Sequence, residues 1–92
     1  MKTIKCAQIC GQGECLIIVP LDASFENEPP HIQSESIRSL QKYAEESLAG
    51  TVVPVWRTEK GIKFKASQKH YSFFKGLTWD WVQDNLNKKF FC

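Results

Sequence analysis

The chain has 92 residues, 42% of them hydrophobic and 24% charged, with three tryptophans, two tyrosines, six phenylalanines and a net charge of +2. That length points to one domain, 1–92, with a modest core, and the aromatic content excludes a disordered chain. No apolar run reaches the roughly 18–20 residues that cross a bilayer, which excludes a helical membrane protein.

"TIKCAQIC", Thr3 to Cys10, reads as a strand, and "CLIIVPL", Cys15 to Leu21, as its hairpin partner. Two glycines in the link "GQGE" supply the positive φ angles of a tight turn. The second run is almost wholly apolar, so it belongs in the middle of a sheet or under cover on both faces. "DASFENEPPHIQ", Asp22 to Gln33, reads as a solvated acidic loop, because Pro29 and Pro30 remove amide donors. The clearest helix follows in "SESIRSLQKYAEESLAG". Ser34 or Ser36 caps it, Ile37, Leu40, Ala44 and Leu48 form its apolar stripe, and Gly50 suits its C-terminal end.

"TVVPVWR", Thr51 to Arg57, is strand-like, and Pro54 within it argues for an edge strand or a bulge. The turn "TEKG" leads into "IKFKA", Ile62 to Ala66, which alternates with period two. If Arg57 stands opposite Ile62, Val55 faces Phe64 and Val53 faces Ala66 on an apolar side. Trp56, Lys63, Lys65 and Pro54 then share the other side. "HYSFFK" reads either as a third short strand or as an ordered loop. A last helix starts at the Thr78 cap with Asp80 in its first turn, and its stripe is Trp79, Val82, Leu86 and Phe90. The fold class expected is therefore α+β, in the order ββαββ(β)α. It is an antiparallel sheet of four or five strands with two helices packed on one face.

Charge is divided unevenly along the chain. Residues 1–49 carry four Lys/Arg against seven Asp/Glu, net −3, and residues 50–92 carry eight against three, net +5. Such asymmetry points to an anionic partner for the basic half. The stretch "KFKASQKHYSFFKG", Lys63 to Gly76, concentrates the pattern: four lysines, four aromatic rings, one histidine and no carboxylate. Lysines neutralise phosphates, and a ring stacks on an unpaired base. The expected function is a small cytoplasmic, non-catalytic module that binds RNA or single-stranded DNA through Trp56, Lys63, Lys65, Lys69, Tyr71 and Lys75. Phe64 is expected inward, with the facing of Tyr71, Phe73 and Phe74 undecided. No RNP-type box, helix-turn-helix spacing or zinc-finger spacing is present.

The alternative is a protein-interaction or regulatory module, including one that self-associates. Trp79 and Trp81 in "TWDW" cannot both sit at the centre of one helix face. Trp81 is then exposed, and an exposed tryptophan beside an edge strand suits a protein partner or a second copy.

Cys6, Cys10 and Cys15 are spaced C-x3-C-x4-C, with Cys92 at the end of the chain. That spacing does not match a zinc knuckle, and neither a metal nor a cofactor is expected. Cys10 and Cys15 flank the hairpin turn, where they would face each other as small hydrophobes, as a metal-binding pair or as a disulfide. "MKTIKCAQIC" is broken by Lys5 and Gln8 and lacks the apolar core of a signal peptide, so reduced thiols in the cytoplasm are expected. "CGQGEC" lacks a Walker lysine and is not a phosphate loop. His70 as a general base with Asp80 or Asp84 has no motif behind it, and catalysis is not the expected role.

Overall fold

A computed structural model of the chain describes residues 2–11 and 13–91. Its strands are β1 (Thr3–Gly11), β2 (Glu14–Leu21), β3 (Thr51–Thr58), β4 (Gly61–Phe64) and β5 (Lys88–Phe91). Helix α1 (Pro30–Glu45) lies between β2 and β3, and two short helices, α2 (Tyr71–Lys75) and α3 (Trp79–Asp84), lie between β4 and β5. The five strands form one sheet in the order β4-β3-β2-β1-β5. Among the described residues, no helix is long and apolar enough to cross a membrane.

The α+β class, the five strands and the order ββαββ through β4 agree with the sequence reading, while the fifth strand follows the last helix and does not precede it. The hairpin register also agrees: Arg57 stands opposite Ile62 and Val55 opposite Phe64. The sheet is mixed, however, because β2 and β3 run parallel. Their connection contains a 16-residue helix, about 24 Å long. That length carries the chain back to the starting end of the sheet, and a tight turn between antiparallel strands would not.

Parallel pairing places β2 in the middle, covered on both faces. Ile17, Ile18 and Val19 are all fully buried. Alternation sends Ile17 and Val19 to one side, where they pack with Cys6, Val52, Phe90 and Ala44 of α1. Ile18 goes to the other side with Ala7, Val53, Val55, Phe74 and Val82. The helices thus sit on opposite faces, α1 on one and α2 with α3 on the other. An unbroken apolar strand needs a layer on each side.

Helix α1 begins four residues before the expected serine cap. Proline at the first helical position loses only an N–H that has no helical partner there, and its φ is already set for a helix. The expected acidic loop is a 3-10 helix, Ala23–Asn27, capped by the Asp22 side chain and carrying the buried Phe25 inward. The last helix stops at Asp84, and Phe90 belongs to β5. There it pairs with Ile4 and fills the core under α1.

Both incomplete edges of the sheet are closed by side-chain amides. Strand β3 is internal beside β4, but β4 stops at Phe64, and the ladder ends where the Lys65 N–H donates to the Pro54 carbonyl at 3.1 Å. Pro54 has no N–H to return, so the pairing stops there. Beyond it, the Val52 N–H donates to Gln41 Oε1 at 2.7 Å, and Gln41 Nε2 donates to the Gly50 carbonyl at 3.1 Å. On the far side, the Gln8 N–H donates to Asn87 Oδ1 at 2.9 Å, and Asn87 Nδ2 donates back to the Gln8 carbonyl at 3.3 Å. Each amide presents one donor and one acceptor, as a peptide group of a neighbouring strand would. Gly50 does not end α1. Its φ of +135 and its position against β2 matter instead, since a Cβ there would meet the Cys15 carbonyl oxygen at 2.8 Å.

Gln41→Ala removes both partners from the β3 edge. We expect it to lower the unfolding free energy by about 1–3 kcal/mol in urea titrations, the cost of a partly buried backbone pair left unmade. An unchanged midpoint would mean that water serves this edge as well as the amide does.

Candidate functional site

The β3–β4 hairpin brings Trp56 opposite Lys63, as its alternation requires. The 3-10 helix then covers both. Glu26 spans them: Trp56 Nε1 donates to Glu26 Oε2 at 3.0 Å, and Lys63 Nζ pairs with Glu26 Oε1 at 2.9 Å. The Phe25 ring meets the Trp56 ring edge to face at 4.8 Å. Trp56 is 4% exposed, so its ring has no free face to offer a base. This corrects the expected role of Trp56. A buried indole needs an acceptor for its N–H, and Glu26 supplies one while offsetting the Lys63 charge.

Lys69 is also paired. Its Nζ lies 2.7 Å from Glu14 Oε1, and His70 Nε2 lies 3.8 Å from the same oxygen. The basic stretch carries no carboxylate of its own, but the fold imports two from the acidic half of the chain. Among the described residues, Lys65 and Lys75 form no ion pair.

The rings of "HYSFFK" are sorted by a helical turn and not by strand alternation. Phe74 is fully buried and stacks on Phe64 with centroids 5.1 Å apart. Tyr71 and Phe73 remain outside, 45% and 42% exposed. Tyr71 rests edge-on against Phe64 at 5.4 Å, and Phe73 against Phe74 at 5.0 Å and Trp81 at 5.8 Å. The exposed rings are therefore propped by one buried ring, Phe74, and two partly buried ones, Phe64 and Trp81. Phe73 belongs to this surface and is absent from the expected set. Its neighbour Phe74 fills the core, and residues adjacent on a helix point in different directions.

Trp81 is half-buried, which corrects its expected exposure. Helix α3 has only six residues, so Trp79 and Trp81 both reach the core from its flanks. The Thr78 cap is as read from the sequence, with its hydroxyl accepting from the Trp81 N–H at 3.1 Å.

Cys10 and Cys15 stand directly opposite each other in the β1–β2 ladder, with Cα atoms 4.0 Å apart, and are joined as a disulfide. This corrects the expectation of reduced thiols. The even-numbered residues of β1 direct their backbone groups toward β5, as Gln8 does, so Cys10 and Cys15 form a non-hydrogen-bonded pair whose side chains lie close. Cys6 is free and buried, and burial pushes its thiol pKa up. Cys92 lies outside the described residues. Among the described residues, no group of three or more His, Cys, Asp or Glu is placed to hold a metal.

No protein family, curated protein or solved structure matches the chain.

Glu26 is held below the ordinary glutamate pKa of 4.5, first by the Trp56 indole N–H and then by Lys63. The carboxylate is the form that makes both bonds. Its stabilising contribution is therefore present above the ordinary value and is lost as pH falls through the lower folded one. Melting temperatures followed from neutral pH to about pH 3 should show a smaller acid decline for Glu26→Gln than for the wild type. Asp22 and Glu14, also lowered, contribute to the decline that remains. Parallel acid limbs in the two proteins would remove Glu26 as a contributor.

Proposed function

We propose that this protein is a non-catalytic binding module for RNA or single-stranded DNA, and that it holds the strand on the surface carrying Lys65, Lys69, Tyr71, Phe73 and Lys75. The observation that supports this most is the exposure of Tyr71 and Phe73 beside Lys65 and Lys75, which have no carboxylate partner among the described residues. Large rings left in water are available to an unpaired base, whose stacking contributes about 1–3 kcal/mol. Ammonium groups without partners favour a polyanion, because phosphate contacts release counterions. Trp56 and Lys63, clasped by Glu26, support the scaffold beneath this surface and do not contact the strand.

A protein partner, or a second copy of the chain, is the second reading. It is favoured by the edge contact of Phe73 with Trp81 at 5.8 Å, which extends the apolar patch from α2 onto α3.

Fluorescence anisotropy of labelled single-stranded oligonucleotides across a salt series separates the two. The nucleic-acid reading expects log affinity to fall against log salt with a slope of about −2 for three lysine contacts. Lys65→Glu with Lys75→Glu should abolish binding, and Tyr71→Ala or Phe73→Ala should each weaken it by about 1–3 kcal/mol. A folded protein that binds no oligonucleotide at low salt would overturn it. Salt-insensitive self-association, lost in Trp81→Ala and read by light scattering, would establish the second reading.

A further inference from the structure

Where β4 leaves β3, the sheet edge opens into a hollow of about 700 Å³. One wall is the edge of β3 at Thr51 and Val53. The other is the segment that follows β4, with Lys65, Ser67, Lys69, His70 and Tyr71, and the β1–β2 hairpin contributes Glu14. The volume suits a small-molecule site, for which roughly 300–1,000 Å³ is typical. Neither Trp56 nor Lys63 lines it.

Lys69 and His70 converge on a single oxygen, Glu14 Oε1, at 2.7 Å and 3.8 Å. Lys65 borders the same space without an ion pair among the described residues. The hollow thus holds more positive than negative charge, and its own carboxylate sits where the donors meet. The Glu14 side chain is 45% exposed, so it swings into water at little cost, as exposed ion pairs are weak. Tyr71 and Phe64 line the hollow beside these donors, and the Tyr71 ring is accessible.

We infer that this hollow is a seat for the phosphomonoester of a nucleotide, with Glu14 as an internal anion that fills the seat until the ligand displaces it. A phosphomonoester carries about −1.5 to −2 charge at neutral pH and three acceptor oxygens. It therefore satisfies Lys69, His70, Lys65 and the Ser67 hydroxyl together, which a single carboxylate does not. The attached base lies against Tyr71. The inference deepens the nucleic-acid reading and rests on it where the phosphate belongs to a strand end, since Lys69 and Tyr71 serve both. A free mononucleotide presents the same chemistry.

The test is a two-dimensional amide NMR titration with inorganic phosphate, a nucleoside, and the corresponding nucleoside monophosphate. It is paired with anisotropy of oligonucleotides bearing or lacking a terminal phosphate at either end. The monophosphate is expected to bind more tightly than phosphate or nucleoside alone, with the largest shifts at Glu14, Ser67, Lys69 and His70. Glu14→Gln, which keeps the shape and removes the competing charge, should tighten binding about three- to fivefold. Lys69→Ala should weaken it about tenfold or more. A seat that reads strand ends should prefer the phosphorylated oligonucleotide. If the monophosphate binds and no oligonucleotide does, the seat stands for free nucleotides and the strand-binding reading fails. If oligonucleotides bind regardless of terminal phosphate, and the monophosphate shifts none of these amides, the seat is overturned while the strand-binding surface survives. Unaltered affinity in Glu14→Gln would also overturn it, with circular dichroism confirming that each variant is folded.

Discussion

Three consecutive buried residues at the centre of the sheet, Ile17, Ile18 and Val19, constrain everything around them. A strand turns neighbouring side chains to opposite faces, so one run of apolar residues demands two cores. Burying each such side chain stabilises the fold by about 1.5–3 kcal/mol, which no single layer would collect. Helix α1 covers one face and, by its length, sets β3 parallel to β2. The short α2 and α3 cover the other. The candidate surface follows from that second layer: Tyr71 and Phe73 are presented by a helical turn that Phe74 anchors in the core.

The same constraint explains where the basic surface sits. With β2 and β3 internal, β4 is an edge strand of only four residues, and the chain must leave it for α2. The hollow at the β3 edge and the lysines around it are the geometry of that exit. Two of the four lysines in the basic stretch are matched by glutamates that approach from before α1, Glu14 and Glu26. The fold thereby reduces the apparent charge of the stretch and leaves Lys65 and Lys75 as its unmatched cations among the described residues.

Local rules were enough for much of the architecture. The β1–β2 hairpin follows from two apolar runs and a glycine turn, and the β3–β4 register follows from alternation across a four-residue turn. The Thr78 cap is legible for the same reason. What depended on distant partners was not. Phe90 fits a helical stripe with Val82 and Leu86, and only pairing with β1, more than eighty residues away, makes it a strand residue. Trp56 looked like a platform because alternation puts it on one hairpin face with Lys63 and Lys65, while the residues that cover it, Phe25 and Glu26, come from a stretch that looked solvated. Phe25 was the available signal there, a large ring in an acidic run. The prolines at the start of α1 read as breakers because the same chemistry that stops a helix inside also suits its first turn. The pairing of Cys10 with Cys15 was geometrically legible from the hairpin, but its oxidation state was not.

The amides that finish the sheet edges tie the durability of the molecule to slow chemistry. Hydrolysis of the Asn87 side chain to a carboxylate would keep the oxygen that accepts from the Gln8 N–H. It would also replace the donor that now lies 3.3 Å from the Gln8 carbonyl with a second oxygen. Two acceptors would then face each other, and the Gln8 carbonyl would lose its partner while the Gln8 N–H kept one. An uncovered strand edge is a template for pairing with other chains, and Gln41 guards β3 in the same way. Ageing of this protein would therefore begin with no loss of core packing. It would begin as a change of hydrogen-bond polarity at the rim, freeing one more backbone acceptor for a neighbour to pair with.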